Sequence, residues 1–125
     1  MQAALLAAAG VFTTDHIAVT AAITGAVALV AALFVLGRRS GLVDGVAIGV
    51  LAAAAVFLWR KSANMPQLNT DGLNGFSAND WLAPTTTFVV LALYGVLRQP
   101  TNLRRFAQAC ALAVLVAFVV NVVTI

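Results

Sequence analysis

The chain has 125 residues, of which 62% are hydrophobic and 9% are charged, and its mean hydropathy is +1.02. This composition excludes an ordinary soluble domain, in which about 25% of the residues are charged. The net charge of +3 does not indicate nucleic-acid binding, because the basic residues form no patch interleaved with aromatic residues. We therefore expect an integral membrane protein.

An apolar segment, residues 1–15, opens the chain and begins MQAALLAAAGVF. It lacks the basic start of a secretory signal peptide, and its apolar part is about half as long as a spanning helix. We expect this segment to lie along the membrane interface or to pack on a neighbouring subunit. The rest of the chain, residues 16–125, is predicted to be the transmembrane domain.

Four apolar stretches follow, and each is close to the length of about 20 helical residues that crosses a bilayer. The predicted helices cover about residues 16–37, 41–59, 80–98 and 106–125, with an outer loop at about 60–79. The predicted fold class is an all-α integral membrane protein, a bundle of four transmembrane helices.

Capping residues and short connections support these bounds. Thr13, Thr14 and Asp15 precede the first apolar stretch, and the segment 77–80, Ser-Ala-Asn-Asp, opens the third. The connection over residues 37–41 is so short that the two helices it joins should be antiparallel neighbours. We therefore expect two antiparallel hairpins.

The distribution of Lys and Arg predicts the orientation. Basic residues near helix ends normally stay on the cytoplasmic side, so the end richer in them should be inside. The hairpin turns carry Arg38, Arg39, Arg98, Arg104 and Arg105, whereas the opposite end carries Arg60 and Lys61. This predicts inner turns and outer termini in a multi-pass protein of the plasma (inner) membrane. The many Ala and Val residues are typical of a GC-rich bacterial genome.

A row of small residues marks one face of the second helix: Gly41, Gly45, Gly49 and Ala53, spaced by four. Small residues let helix backbones approach closely, which favours packing in lipid. Two interpretations remain open. The row could be a dimerisation seam or subunit-docking face, or it could simply close this four-helix bundle.

Acidic residues are few, and glutamate is absent. Only Asp44 is expected within a helix, about one turn into the second apolar stretch. We interpret it as an interfacial ion pair with Arg39, Arg104 or Arg105 in preference to a proton- or cation-coupling site.

The single histidine, His16, lies at the start of the first helix. It could make a redox or partner contact, although a capping-region residue is the more ordinary interpretation. The single cysteine, Cys110, has no companion ligands, so no metal site is predicted.

The chain contains no nucleophile–base set, phosphate-binding glycine loop or paired carboxylates, so we predict neither catalysis nor a cofactor. The first functional hypothesis is a non-catalytic accessory subunit, held by larger membrane proteins of a respiratory, transport or envelope-building complex. The alternative is a small homo-oligomeric transporter or channel. The two hypotheses differ in whether polar groups inside the bundle serve packing or translocation.

Overall fold

The computed structural model describes residues 12–37, 41–69, 71–73 and 76–124. The elements in chain order are α1 (Thr14–Leu36), α2 (Leu42–Ser62), α3 (Pro66–Asn69), β1 (Asp71–Leu73), β2 (Phe76–Ser77), α4 (Ala78–Arg98) and α5 (Leu103–Thr124). The four long helices contain 21 to 23 residues each and are apolar enough to cross a membrane. The prediction of a multi-pass helical membrane protein is therefore confirmed at this level.

The observed helices extend beyond the predicted bounds in four places. α1 begins at Thr14 and α4 begins at Ala78, each two residues before the predicted start. α2 continues to Ser62, three residues past the predicted end, and α5 begins at Leu103 where the apolar run had suggested 106. The earlier start of α5 follows Asn102, whose side-chain oxygen accepts a hydrogen bond from the backbone N–H of Arg105 at 3.1 Å. The basic residues at the end of α2 and at the start of α5 are therefore helical.

The predicted N-terminal segment, residues 1–15, falls mostly on residues 1–11, which lie outside the described part of the chain. Its last two residues, Thr14 and Asp15, form the first turn of α1. The backbone of Phe12, just before α1, is bonded to the side chain of Asn64, with N···O distances of 2.9 and 2.6 Å. The start of α1 is thereby tied to the chain that follows α2.

The predicted caps are present at the starts of α1 and α4. The Thr13 hydroxyl oxygen accepts the backbone N–H of His16 at 3.1 Å, and the Asp80 carboxylate accepts the backbone N–H of Ser77 at 2.9 Å. Each bond satisfies an amide near a helix start that has no partner within the helix. At the other end of α1, Gly37 has a φ of 85°, a conformation that glycine adopts without strain.

The segment predicted as the outer loop has more structure than a loop. After the last turn of α2 come the single-turn helix α3 and a small hairpin, in which β1 pairs antiparallel with β2. Asp71 lies opposite Ser77 in this hairpin. The two strands bring the chain to the first turn of α4.

The interior of the bundle is rich in small residues, with a few large apolar side chains such as Ile48 and Leu91, and many other large apolar side chains face outward. The buried face of α1 carries Ala21, Thr24, Gly25 and Ala28. On its outer side, Phe34 is 91% exposed. This distribution suits a bilayer. Large apolar side chains there can face the hydrocarbon, and small residues let the helices pack closely.

The glycine row of α2 lies against α1. A Cβ atom added to Gly49 would lie 2.6 Å from the Cβ of Leu29, and one added to Gly25 would lie 2.7 Å from the Cβ of Ala53. Gly45 is similarly close to Leu33. The row therefore contacts a helix of the same chain, which is the geometry that the bundle-closing interpretation requires.

The packing of the other helices gives the bundle two distinct ends. α1 packs mainly on α2 and α5, and α4 packs mainly on α5 and α2. We call the end with residues 12–16, 59–69, 76–81 and 121–124 the loop end, because contacts join these stretches. The end with Gly37, Gly41 and residues 98–105 is the turn end.

Candidate functional site

The buried faces of three helices end in polar side chains at the loop end. Arg60 lies one helical turn beyond the buried Val56 on α2, and Asn121 lies one turn beyond the buried Ala117 on α5. Asp80 lies in the first turn of α4, at the start of that helix's buried face. Residues four apart share one face of a helix, so these side chains point into the bundle.

Arg60 connects the other two side chains. Its Nη2 donates to Asp80 Oδ1 at 3.0 Å, and its Nε donates to Asn121 Oδ1 at 2.8 Å. Arg60 is 1% exposed and Asp80 is 5% exposed. The amide nitrogen of Asn121 donates to the carbonyl oxygen of Ala117 at 2.5 Å. A single guanidinium thus joins α2, α4 and α5, and we call these three side chains the Arg60 cluster.

The local backbone favours this pairing. Arg60 lies near the C-terminus of α2, where the helix dipole stabilises a cation, and Asp80 lies near the N-terminus of α4, where it stabilises an anion. Burying either charge alone would cost on the order of several kcal/mol, whereas the attraction and hydrogen bonds within a buried pair offset much of that cost. Burying the two charges together therefore costs much less free energy than burying either charge alone.

A second set of hydrogen bonds surrounds the cluster. The indole N–H of Trp59 donates to Asn79 Oδ1 at 2.9 Å, and the Asn79 amide nitrogen donates to the carbonyl oxygen of Ala63 at 2.9 Å. Asn79 is 0% exposed. These bonds fix the end of α2 to the start of α4 independently of the ion pair.

His16 belongs to the polar layer that joins α1 to α5. Its Nε2–H donates to the carbonyl oxygen of Thr124 at 2.7 Å, and its ring stacks on Phe12 with centroids 5.4 Å apart. The hydroxyls of Thr20 and Thr124 are 2.9 Å apart, and Lys61 Nζ donates to the Thr14 hydroxyl at 2.5 Å. One ring nitrogen of His16, the residue predicted to make a redox or partner contact, is therefore already hydrogen-bonded within the chain.

Asp44, the predicted coupling or ion-pair residue, lies at the turn end. Its Oδ1 accepts the Tyr94 hydroxyl at 2.7 Å and Arg98 Nε at 3.1 Å. The observed cation is Arg98, which was not among the predicted partners. It reaches Asp44 because the last turn of α4 lies beside the first turn of α2. Arg39, one of the predicted cations, lies outside the described residues.

Replacing Asp44 by asparagine tests whether this ion pair is structural. The Arg98 side chain is 51% exposed, and exposed pairs contribute about 0–1 kcal/mol. We therefore expect D44N to lower the unfolding free energy by less than about 1 kcal/mol, measured by denaturation in detergent, since the amide oxygen can still accept the Tyr94 hydroxyl. Y94F is the matched comparison. Loss of an ion conductance in D44N vesicles would instead support a coupling role.

In the predicted orientation, Arg60 and Lys61 are counted together as the basic residues of the outer end. The spacing from Val56 to Arg60 is the signal that separates them, because it continues the buried face of α2. Lys61, one residue further, is turned by about 100° around the helix axis and is exposed. Following the alanine row of α5, Ala109, Ala113 and Ala117, by one more turn would have found Asn121. The glycine row of α2 leads by the same spacing to Lys61 and not to Arg60, so it gives no such signal.

Within the described residues, no buried side-chain nitrogen or oxygen lacks a hydrogen-bond partner. In the same part of the chain, no three His, Cys, Asp or Glu side chains are grouped as a metal site requires. The Arg60 cluster therefore connects the helices with its buried polar groups hydrogen-bonded within the chain. Comparisons with protein-family models, curated proteins and solved structures found no match.

Proposed function

We propose that the chain is a non-catalytic accessory subunit of a larger bacterial membrane protein complex of respiratory, transport or envelope-building type. The observation that carries this proposal is the Arg60 cluster, whose charged and amide groups bind one another across three helices. Ionisable groups inside a membrane are costly and usually mark a substrate or ion pathway. A pair whose hydrogen bonds are made within the chain, to each other and to Asn121 and Ser77, favours a structural role. We therefore propose that this bundle is a packing unit for other subunits to contact.

The surface for such contacts should lie outside the glycine row. Gly45 and Gly49 are buried against α1, so that face is already occupied within the chain. The outward faces carry large apolar side chains, including the exposed Phe34 and Val30 of α1. Partners of the proposed subunit would pack on these faces in competition with lipid.

We further propose that the four helices cross the plasma membrane as two antiparallel hairpins, with the turn end inside and both termini outside. The positive-inside rule supports this orientation. Arg60 is buried and paired, so its charge is not available to headgroups, whereas Arg98, Arg104 and Arg105 at the turn end are exposed. The exposed positive charge is therefore distributed more unequally between the two ends of the bundle than a simple count of Lys and Arg indicates.

The mass of the intact complex, measured after mild-detergent purification of the tagged protein, tests the accessory role. We expect larger polypeptides at a fixed ratio to this chain. Mixing tagged cells with isotope-labelled untagged cells before lysis is the control, because genuine partners carry the isotope composition of the tagged cells. A homo-oligomer that contains no other polypeptide would contradict the proposal.

The alternative, a small homo-oligomeric transporter or channel, is favoured by one observation. A buried Arg–Asp pair is also what a translocation pathway would use if a substrate could displace one member. Under this alternative, neutralising the pair would abolish flux in vesicles while leaving the assembly intact. Under the accessory role, the same change acts on stability.

A further inference from the structure

An apolar groove runs between α4 and α5 on the outer surface of the bundle. Its main part is a cavity of about 700 Å³, within the range of about 300–1,000 Å³ that is usual for ligand sites. The small residues Ala92, Gly95 and Ala107 leave the space open. The Phe106 ring lies beside Gly95, where an added Cβ would come within 2.7 Å of its Cε1 atom.

The length of the groove matches one leaflet of a bilayer. On α4 the cavity extends from Phe88 to Gln99, about 17 Å at 1.5 Å per helical residue. This is close to half of the bilayer's hydrocarbon thickness of about 30 Å. A second cavity of about 420 Å³ continues from Phe88 towards Trp81 and Phe118. The main cavity therefore opens at the turn end and reaches towards the middle of the bundle.

A cation lies above the mouth of the groove. Arg104 is seven residues before Ala111, which lines both cavities, so the two residues differ by only about 20° around the axis of α5. Helical side chains lean towards the N-terminus, which directs Arg104 out of the groove towards the membrane surface. Arg104 is exposed, and among the described residues it has no ion-pair partner.

We propose that the groove binds one acyl chain of an anionic glycerophospholipid from the leaflet at the turn end, with the lipid phosphate against Arg104. Apolar walls over one leaflet's depth fit the acyl chain, and the exposed guanidinium of Arg104, which has no ion-pair partner in the described part of the chain, fits the headgroup. Basic residues attract anionic headgroups by about 1 kcal/mol each. A transmembrane helix of a partner would require no such charge at one end.

Arg105 provides a matched control, since it is the next residue and carries the same charge. It lines a different, smaller cavity beside Asp44 and Asn102, on the other side of Phe106. General attraction of lipid to a basic surface would use both arginines equally. Of these two arginines, only Arg104 should affect the binding of lipid in the groove.

The test is native mass spectrometry of the detergent-purified protein, titrated with phosphatidylglycerol or with phosphatidylcholine of the same acyl chains. We expect one phosphatidylglycerol per chain, bound in preference to phosphatidylcholine. R104Q should weaken phosphatidylglycerol binding about fivefold, whereas R105Q should leave it unchanged. A107F, which fills the groove one turn below Arg104, should remove the bound lipid, and the equivalent A26F on the exposed face of α1 should not.

Three results would overturn the proposal. Equal losses in R104Q and R105Q would indicate general surface attraction, and equal binding of both lipids, which carry the same phosphate but differ in net charge, would exclude selection of an anionic headgroup. A dimer that forms through the groove and is lost in A107F would make a second protein chain its occupant. If A107F fails to fold, the comparison of R104Q with R105Q still decides between these outcomes.

Discussion

Replacing Arg60 by methionine is expected to lower the free energy of unfolding by about 3–5 kcal/mol. The substitution leaves the buried Asp80 carboxylate without the cation that lies 3.0 Å away and removes the bond to Asn121. Breaking a buried ion pair on one side is costly, because the remaining charge has no compensation. Denaturation followed by circular dichroism in detergent measures this loss. R105M, which removes an exposed arginine outside the proposed lipid site, is the control and should change stability by less than about 0.5 kcal/mol.

The double variant R60M/D80N separates the ion pair from general disruption of the helix end. Removing both charges should recover most of the loss in R60M, because no unpaired charge then remains buried. The asparagine oxygen can still accept the backbone N–H of Ser77, so the cap of α4 is kept. Losses that simply add in the double variant would contradict the coupling of Arg60 to Asp80. Unchanged stability with loss of flux would favour the transporter alternative.

Replacing Gly49 by leucine is expected to have the second large effect, a loss of about 3 kcal/mol or failure of α1 to pack on α2. Even a Cβ atom at this position would lie 2.6 Å from the Cβ of Leu29 and 3.0 Å from the carbonyl oxygen of Gly25. Backbone and Cβ atoms cannot move aside as a flexible side-chain end can, so the helices must separate. Unfolding in detergent again measures the loss.

Val50 provides the matched control for Gly49. It is the next residue and is 59% exposed, so V50L introduces the same side chain on the outward face of α2. We expect V50L to be as stable as the unmodified protein. If G49L instead kept its stability and lost only an associated protein, the glycine row would be a docking face, contrary to its packing against α1.

The apolar stretches, their caps and the connections between them were predictable from the sequence, because each depends on residues close together in the chain. The length of an apolar run sets its capacity to span lipid, and Thr13 and Asp80 bond to amides within three residues. Four helix bounds were displaced outward. At the starts of α1 and α4 two polar or capping-region residues already belong to the helix, and at the end of α2 and the start of α5 basic residues were counted with the loops although they continue the helices.

The site residues were less predictable, because their contacts join helices that are distant in sequence. Arg60 and Asp80 lie 20 residues apart, and Arg60 and Asn121 lie 61 residues apart. Spacing along α2 indicates that Arg60 faces inward, but it does not show which side chains oppose it. Asp44 illustrates the same limit, since its arginine partner among the described residues is Arg98, which lies 54 positions away in the sequence.

By itself, the sequence determined a chain of four apolar helices with a basic turn end, since hydropathy and charge are properties of local composition. The tertiary structure decided which faces meet. It placed the glycine row against α1, joined three helices through the guanidinium of Arg60, and left a groove beside Arg104. These outcomes depend on the rotation and register of whole helices, which are set by packing among all four at once.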